Sequence, residues 1–309
     1  SLPGAVLGQL TSSDSLLLQE KFSEPLYMSP SLYPGNWYVH PEVNTPQEID
    51  SFLNHHFFFS GNEFESAYRL MDVANSIHYD TLLNPTFNQY YTLYGNAYKQ
   101  LNPLVQLDFH LNGRSAKAYS TYSPSQSPAE NEIAFLVMPG SNANQTSELM
   151  IGAGYHNTNC AIKNTLAAYG DVFILCKPLE DYRALRWNEK KLNSSDYISP
   201  GLNYVYKYLD SIDRPYGINY MIEGLALLKY LHNHYKKVML LGCSQGGYAS
   251  LLMSLNAQPD ATMISSGYTK YIDEDPSFQY ELMQNFKMLP LQYDSNAVRN
   301  RTCFMVCYM

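Results

Sequence analysis

The sequence predicts an α/β fold: a mainly parallel sheet covered by helices on both faces, with a helical extension ahead of it. Three observations point there. Strand-length apolar runs recur from Ile133 onward, with stretches of helical spacing between them. Strands buried on both faces read as unbroken hydrophobic runs, and parallel neighbours need crossover helices. A half-buried alternating pattern precedes these runs at Val105–Leu111 and turns back through Asn112-Gly113, the strongest short hairpin signal. Finally, hydrophobic residues make up 45% of the 309, enough to support a core and to argue against disorder.

Residues 1–104 differ in texture from the rest and read as an aromatic-rich N-terminal extension. A loop-like stretch rich in Ser, Pro and Tyr runs through Pro41. Thr45-Pro46-Gln47-Glu48 then has the form of a helix start, with Thr as N-cap, Pro in the first turn and Glu closing a capping box. A second start at Asn62-Glu63-Phe64-Glu65 leads into Ala67, Leu70, Met71, Ala74 and Ile77 at helical spacing.

The second unit expected is 105–309. Val105, Leu107, Phe109 and Leu111 alternate with polar residues, and Ser115 to Tyr122 returns as the partner strand. Ile133–Met138, Val172–Cys176, Val238–Leu241, Thr262–Ile264 and Cys303–Val306 follow as buried strands. Ahead of Val238, a helix places Met221, Leu225, Leu228, Leu231 and Tyr235 on one apolar stripe. The long stretch at about 179–220 carries Tyr182, Trp187, Tyr197, Tyr204, Tyr206, Tyr208 and Tyr216. It reads equally as an aromatic lid-like insertion or as a helical pair packed on the sheet.

Charge narrows the partners. Twenty Lys and Arg against 28 Asp and Glu give a net charge of −8, which repels a polyanion and argues against nucleic acid. No run approaches the ~18 apolar residues of a membrane helix, so no integral membrane segment is expected. The 28 tyrosines, with abundant Asn and Ser and few long charged side chains, lean toward an extracytoplasmic protein. Five cysteines lack metal-ligand spacing and read as core thiols.

Chemistry concentrates at Gly242-Cys243-Ser244-Gln245-Gly246-Gly247, directly after the Val238 strand and before the helical stretch of Ala249, Leu252 and Met253. This is G-x-S-x-G in a strand–turn–helix context. Gly242 and Gly246 suit a turn so tight that side chains would clash. The turn lifts the serine hydroxyl clear of the sheet and aims a helix N-terminus at it, which favours developing negative charge.

On these residues, the region from about Val105 to Met309 resembles the α/β-hydrolase superfamily. The resemblance implies that the hairpin is that family's first two strands, with Ile133–Met138 third, Val172–Cys176 fourth and Val238–Leu241 fifth. It places Ser244 as nucleophile, with the oxyanion hole formed by the backbone amides of Gln245 and of Ser141 in the loop Pro139-Gly140-Ser141-Asn142. It implies no metal and no organic cofactor, and a small-molecule or acyl substrate.

The chain also departs from that pattern. The family places an acid and then a histidine after the serine, yet the last histidine here is His234. Three explanations stand: the natural chain continues beyond Met309, a non-standard base serves, or the fold is a relative without catalysis. For a non-standard base the candidate is His156, in Gly152-Ala153-Gly154-Tyr155-His156 shortly after the oxyanion loop. His110 lies on the polar side of its strand, while His232 and His234 lie on the helix before the serine strand. Asp273, in Asp273-Glu274-Asp275 after the Thr262 strand, is the candidate acid. Two functions follow: a serine hydrolase cleaving an ester, thioester or amide through an acyl-enzyme on Ser244, or a non-catalytic module that binds a ligand or partner.

Overall fold

A two-residue turn starts the sheet. Asn112 and Gly113 both take positive φ, 51° and 75°, the backbone a tight hairpin needs to follow the strand twist. It joins Leu104–Leu111 to Arg114–Ser123, here β3 and β4, paired antiparallel with Leu111 opposite Arg114. The computed structural model describes residues 45–80, 104–127, 132–140, 165–179, 202–265 and 303–307. Among them, β1 (Asp72–Val73) and β2 (His78–Asp80) precede the hairpin, and five strands follow it: β5 (Ile133–Met138), β6 (Asp171–Leu175), β7 (Lys237–Cys243), β8 (Ala261–Ser265) and β9 (Cys303–Cys307).

All nine belong to one sheet of order β1-β3-β4-β6-β5-β7-β8-β9, with β2 also paired to β3. From β6 to β9 every pairing is parallel, and β4 joins the hairpin to β6 antiparallel. The predicted strands therefore all appear, and the sheet is mainly parallel with helices, as expected. Burial matches the patterns that predicted them. Val105, Leu107, Phe109 and Leu111 are buried while His110 is exposed, and all five residues of β6 are buried.

The first helix, α1 (Pro46–His56), starts where predicted: the Thr45 hydroxyl accepts from the Glu48 amide at 3.2 Å and the Glu48 carboxylate accepts from the Thr45 amide at 3.0 Å. The second, α2 (Gly61–Leu70), differs at both ends. Its N-cap is Ser60, boxed with Glu63, rather than Asn62. It stops at Leu70, although the helical spacing continued to Ile77. Beyond Met71 the backbone bonds outward instead: Asp72 and Val73 pair with His110 and Phe109, and the Ala74 amide donates to Asp108. The open edge of β3 offered those groups partners that outweighed the local spacing.

Helices α3 (Leu202–Ser211) and α4 (Tyr216–His234) follow β6, and α5 (Gln245–Ala257) follows β7. The single stripe expected on α4 is too narrow. Ile218, Tyr220, Ile222, Ala226 and Leu227 are buried as well as Met221, Leu225, Leu228 and Leu231, because α4 runs between the sheet on one side and α2, α3 and α5 on others. A helix apolar all round belongs in an interior. Side chains of α4 also hold the preceding segment by its backbone. Asn219 Oδ1 accepts from the amides of Phe58 and Phe59, both at 3.1 Å, and its Nδ2 donates to the carbonyls of Phe59 and Pro215. Lys229 donates to the carbonyls of Tyr68 and Met71.

His232 sits partly buried on the same helix, its Nδ1 2.6 Å from the Tyr68 hydroxyl. Burial pushes its pKa below the ordinary histidine value, against a smaller opposing pull from Asp260. The unfolded chain therefore takes up the proton first, so this stabilisation is present above about pH 6.5 and is lost as pH falls through the folded-state value.

Two outcomes follow. Asn219→Leu, which strands one buried and one part-buried amide, should lower the unfolding free energy by about 2–4 kcal/mol in urea titrations. Between about pH 7.5 and about pH 5.5 the wild type should lose more stability than His232→Gln, read as the shift in urea midpoint.

Candidate active site

The sheet order contains a reversal. From β5 the chain crosses to β6 on one side, then returns through α4 to β7 on the other side of β5. In open α/β sheets, ligands bind beyond the carboxyl ends of the strands at such a switch. Here Met138 pairs with Gly242 at the last register position. Pro139-Gly140 leaves β5 beside Cys243-Ser244 leaving β7, on strands ~4.8 Å apart.

Ser244 stands at the turn from β7 into α5 with φ 51° and ψ −119°. Positive φ is uncommon for a residue with a Cβ, and costs of order 1–3 kcal/mol unless the surroundings enforce it. The surroundings do. A Cβ on Gly242 would lie 2.1 Å from the Gly246 carbonyl oxygen and 2.4 Å from Ser250 Oγ. One on Gly246 would lie 1.9 Å from the Met138 carbonyl oxygen and 2.5 Å from that of Pro139. These two positions admit only hydrogen, and that lets the helix start against the end of β5.

Although Ser244 is the N-cap of α5, its hydroxyl makes no capping bond. The helix begins instead with the Tyr248 amide on the Ser244 carbonyl at 3.1 Å. The amides of Gln245, Gly246 and Gly247 precede that first intrahelical bond and remain at the positive end of the helix dipole. Gln245 is 8% exposed, and neither polar atom of its side chain has a hydrogen-bond partner among the described residues.

Three side chains hold the neighbouring loops. The Tyr220 hydroxyl donates to the Pro139 carbonyl at 2.8 Å, Lys177 Nζ to the Gly140 carbonyl at 2.7 Å, and the Tyr216 hydroxyl to the Pro178 carbonyl at 2.6 Å. Lys177 is 1% exposed, with its ammonium 6.0 Å from the Tyr220 ring centre. Sequence reasoning missed Lys177 and Tyr220. The available signal was a lone cation directly after an unbroken apolar strand, at the carboxyl end where parallel sheets place their sites. Tyr216, counted among the aromatic residues of a lid, is buried in the core with Tyr206, their ring centres 4.8 Å apart. Residues 180–201 of that stretch lie outside the described residues.

Ser141, His156 and Asp273 also lie outside the described residues. The other histidines named from the sequence sit away from Ser244. His110 is on β3, four positions from β7 in the sheet, or ~19 Å. His232 and His234 end the helix that feeds the opposite end of β7. His234 Nδ1 is 2.7 Å from the Tyr230 carbonyl and its Nε2 2.9 Å from that of Asn75. Among the described residues no group of three His, Cys, Asp or Glu is placed to hold a metal, and no helix is long and apolar enough to cross a membrane.

No family model and no curated protein matches the chain. Solved structures give distant likenesses. A family 15 glucuronoyl esterase from Caldicellulosiruptor kristjansonii aligns at 11% identity and TM-score 0.38, over 72% of this chain and 50% of its own. An α/β serine hydrolase without a lid from Xanthomonas campestris aligns at 10% identity and TM-score 0.33, over 62% of this chain and 79% of its own. Lipase A of Candida antarctica, in its closed state, aligns at 11% and TM-score 0.32, over 79% and 46%. The chain thus spans about half the length of the glucuronoyl esterase it resembles.

The close approach at Gly246 makes a sharp prediction. Gly246→Ala should cost about 3 kcal/mol or more, because the added methyl meets backbone that cannot swing aside. Gly113→Ala, where a Cβ meets nothing within 4 Å and only the φ of +75° is unfavourable, should cost about 1–2 kcal/mol. Urea denaturation of the two variants measures the difference.

Proposed function

We propose that this chain is a serine hydrolase that cleaves an ester, thioester or amide, with carboxylic esters the first substrates to test. The observation that carries the reading is Ser244 itself: a non-glycine residue held at φ 51° in the switch-point crevice, its hydroxyl unused as a cap at the start of a buried helix. Strained backbone enforced by its neighbours is a mark of functional sites. In the turn before α5 it forms a nucleophile elbow.

In this mechanism Ser244 Oγ attacks the carbonyl carbon and a general base takes its proton. The carbonyl oxygen becomes an oxyanion, held by the backbone amide of Gln245 at the head of α5 and by that of Ser141 after β5. Collapse breaks the bond to the leaving group, which takes the proton from the base, and leaves an acyl-enzyme. Water then attacks by the same steps in reverse order of partners and frees Ser244. A serine hydroxyl without a base is a poor nucleophile at neutral pH. His156 fills that role in the proposal, with Asp273 to orient it.

A fluorophosphonate probe tests this directly: the Ser244 oxygen bonds to phosphorus and fluoride leaves. Peptide mass spectrometry should find the adduct on Ser244, and Ser244→Ala should abolish it. Failure of the folded protein to react would favour the non-catalytic binding module. Within the reading, His156→Ala should reduce labelling and ester turnover by roughly 10³-fold or more, and an unchanged rate would remove His156 from the mechanism.

A further inference from the structure

We propose that the side-chain carboxamide of Gln245 sets substrate specificity by hydrogen-bonding a hydroxyl group that the ester carries a few bonds from its scissile carbonyl; the inference rests on the serine-hydrolase reading. Gln245 is 8% exposed, and among the described residues neither its Oε1 nor its Nε2 has a partner. Buried polar side chains are nearly always bonded, because an unpaired amide keeps the full cost of leaving water. A glutamine that finds nothing within the fold therefore points to a partner from outside. Ser250 Oγ and Thr262 Oγ1 also lack partners among the described residues, but both lie in the packed seam between α5 and the sheet. A Cβ on Gly242 would stand 2.4 Å from Ser250 Oγ, and Thr262 is registered on Leu240, which shares a face of β7 with Gly242. That seam is filled by the protein itself.

Gln245 stands elsewhere, at the first position of α5 beyond the carboxyl end of β7. The Cα–Cβ bonds of a helix tilt toward its N-terminus. At the first position no earlier turn lies in the way, so this side chain leaves α5 on the side of the crevice. Ser244, one residue before, is half-buried, so the crevice opens to solvent at that point. The two Cα atoms are ~3.8 Å apart across the peptide, which keeps the carboxamide within a few bonds of a carbonyl under attack by Ser244. The chemistry of the group selects its partner. An uncharged amide cannot offset the desolvation of an ion. A hydroxyl both donates and accepts, and can bond either atom of the carboxamide. An alkyl group in the same place would leave the amide unpaired throughout the reaction. A site built to bond a substrate hydroxyl rejects the analogue lacking it far more strongly than an apolar pocket rejects one methylene.

Two pairs of esters of matched shape test this, one for each side of the carbonyl. They are p-nitrophenyl 3-hydroxybutyrate against p-nitrophenyl 3-methylbutyrate, and 2-hydroxyethyl butyrate against propyl butyrate. The readout is the ratio of kcat/KM within each pair, in which effects common to both esters cancel. Wild type should favour the hydroxyl member of one pair by roughly 10-fold or more, and the pair concerned tells whether the acyl or the alcohol part carries the group. Gln245→Met and Gln245→Leu, which keep the backbone amide and remove the carboxamide, should abolish that preference. Stability gives a readout independent of turnover. Removing an amide that is unpaired in the free protein should leave the urea midpoint unchanged or raise it, whereas an amide bonded within the chain would make it fall in both variants. A fall in both, or a preference that survives the substitutions, overturns the inference. Equal rates within both pairs in the wild type overturn it whatever the variants do. Absence of fluorophosphonate labelling at Ser244 in the wild type would overturn the hydrolase reading as well, whereas normal labelling with equal rates within both pairs overturns this inference alone.

Discussion

The first turn of α5 lies so near the end of β5 that a methyl group on Gly246 would touch the Met138 carbonyl oxygen at 1.9 Å. That contact sets the geometry of the crevice. It brings the head of the helix, whose first amides have no intrahelical partner, against Pro139-Gly140 leaving β5, with Ser244 making the turn from β7. The serine accepts an unfavourable φ because both its flanks are committed: β7 is registered on β5 and β8, and α5 buries Ala249, Leu252, Met253 and Ala257 behind it. Local strain of a few kcal/mol is small against the burial of four such side chains, each worth about 1–3 kcal/mol.

The same economy explains the segment ahead of the hairpin. α4, buried along most of its length, needs more cover than the sheet alone gives. Residues 45–80 close its outer face with Phe52, Phe57, Phe59, Phe64 and Met71. Apolar packing does not choose a register, and polar bonds add it. Asn219 reads the backbone of the Phe58–Phe59 link from both sides, while Lys229 and His234 take up carbonyls further along. The helix that carries Tyr216 and Tyr220 to the site loops is thus held by a segment far from them in sequence.

Much of this was legible in the residues. Every strand from Val105 onward appeared where apolar runs or alternation placed it, because burial on one or both faces leaves a direct trace in composition. The Thr45 capping box was equally plain, since its partners lie three residues apart. What escaped depends on partners distant in the chain. Helical spacing through Met71, Ala74 and Ile77 was overruled by the edge of β3, more than thirty residues on. The stripe on α4 was read too narrow because nothing in its own sequence tells that α2 lies across it. Ser244 was visible as a motif, but Lys177 was not, for the Gly140 carbonyl that it bonds lies 37 residues earlier. Of the aromatic residues at about 179–220, which read equally as a lid or as packed helices, Tyr216 spends its hydroxyl on the Pro178 carbonyl.

The two short strands that displaced the expected helix do one more thing. β1 pairs with His110 and Phe109, β2 with residues 104–106, and the Ala74 amide takes the Asp108 carbonyl between them. The outer side of β3, eight residues long and alternately apolar, would otherwise offer a template on which a second chain could add a strand. Among the described residues, pieces of two and three residues cover that side, flanked by Asp108 with His78 and Lys117 close by. The break in helix periodicity near residue 71 thus turns a would-be open edge of β3 into a paired one, in an aromatic-rich chain of low charge content.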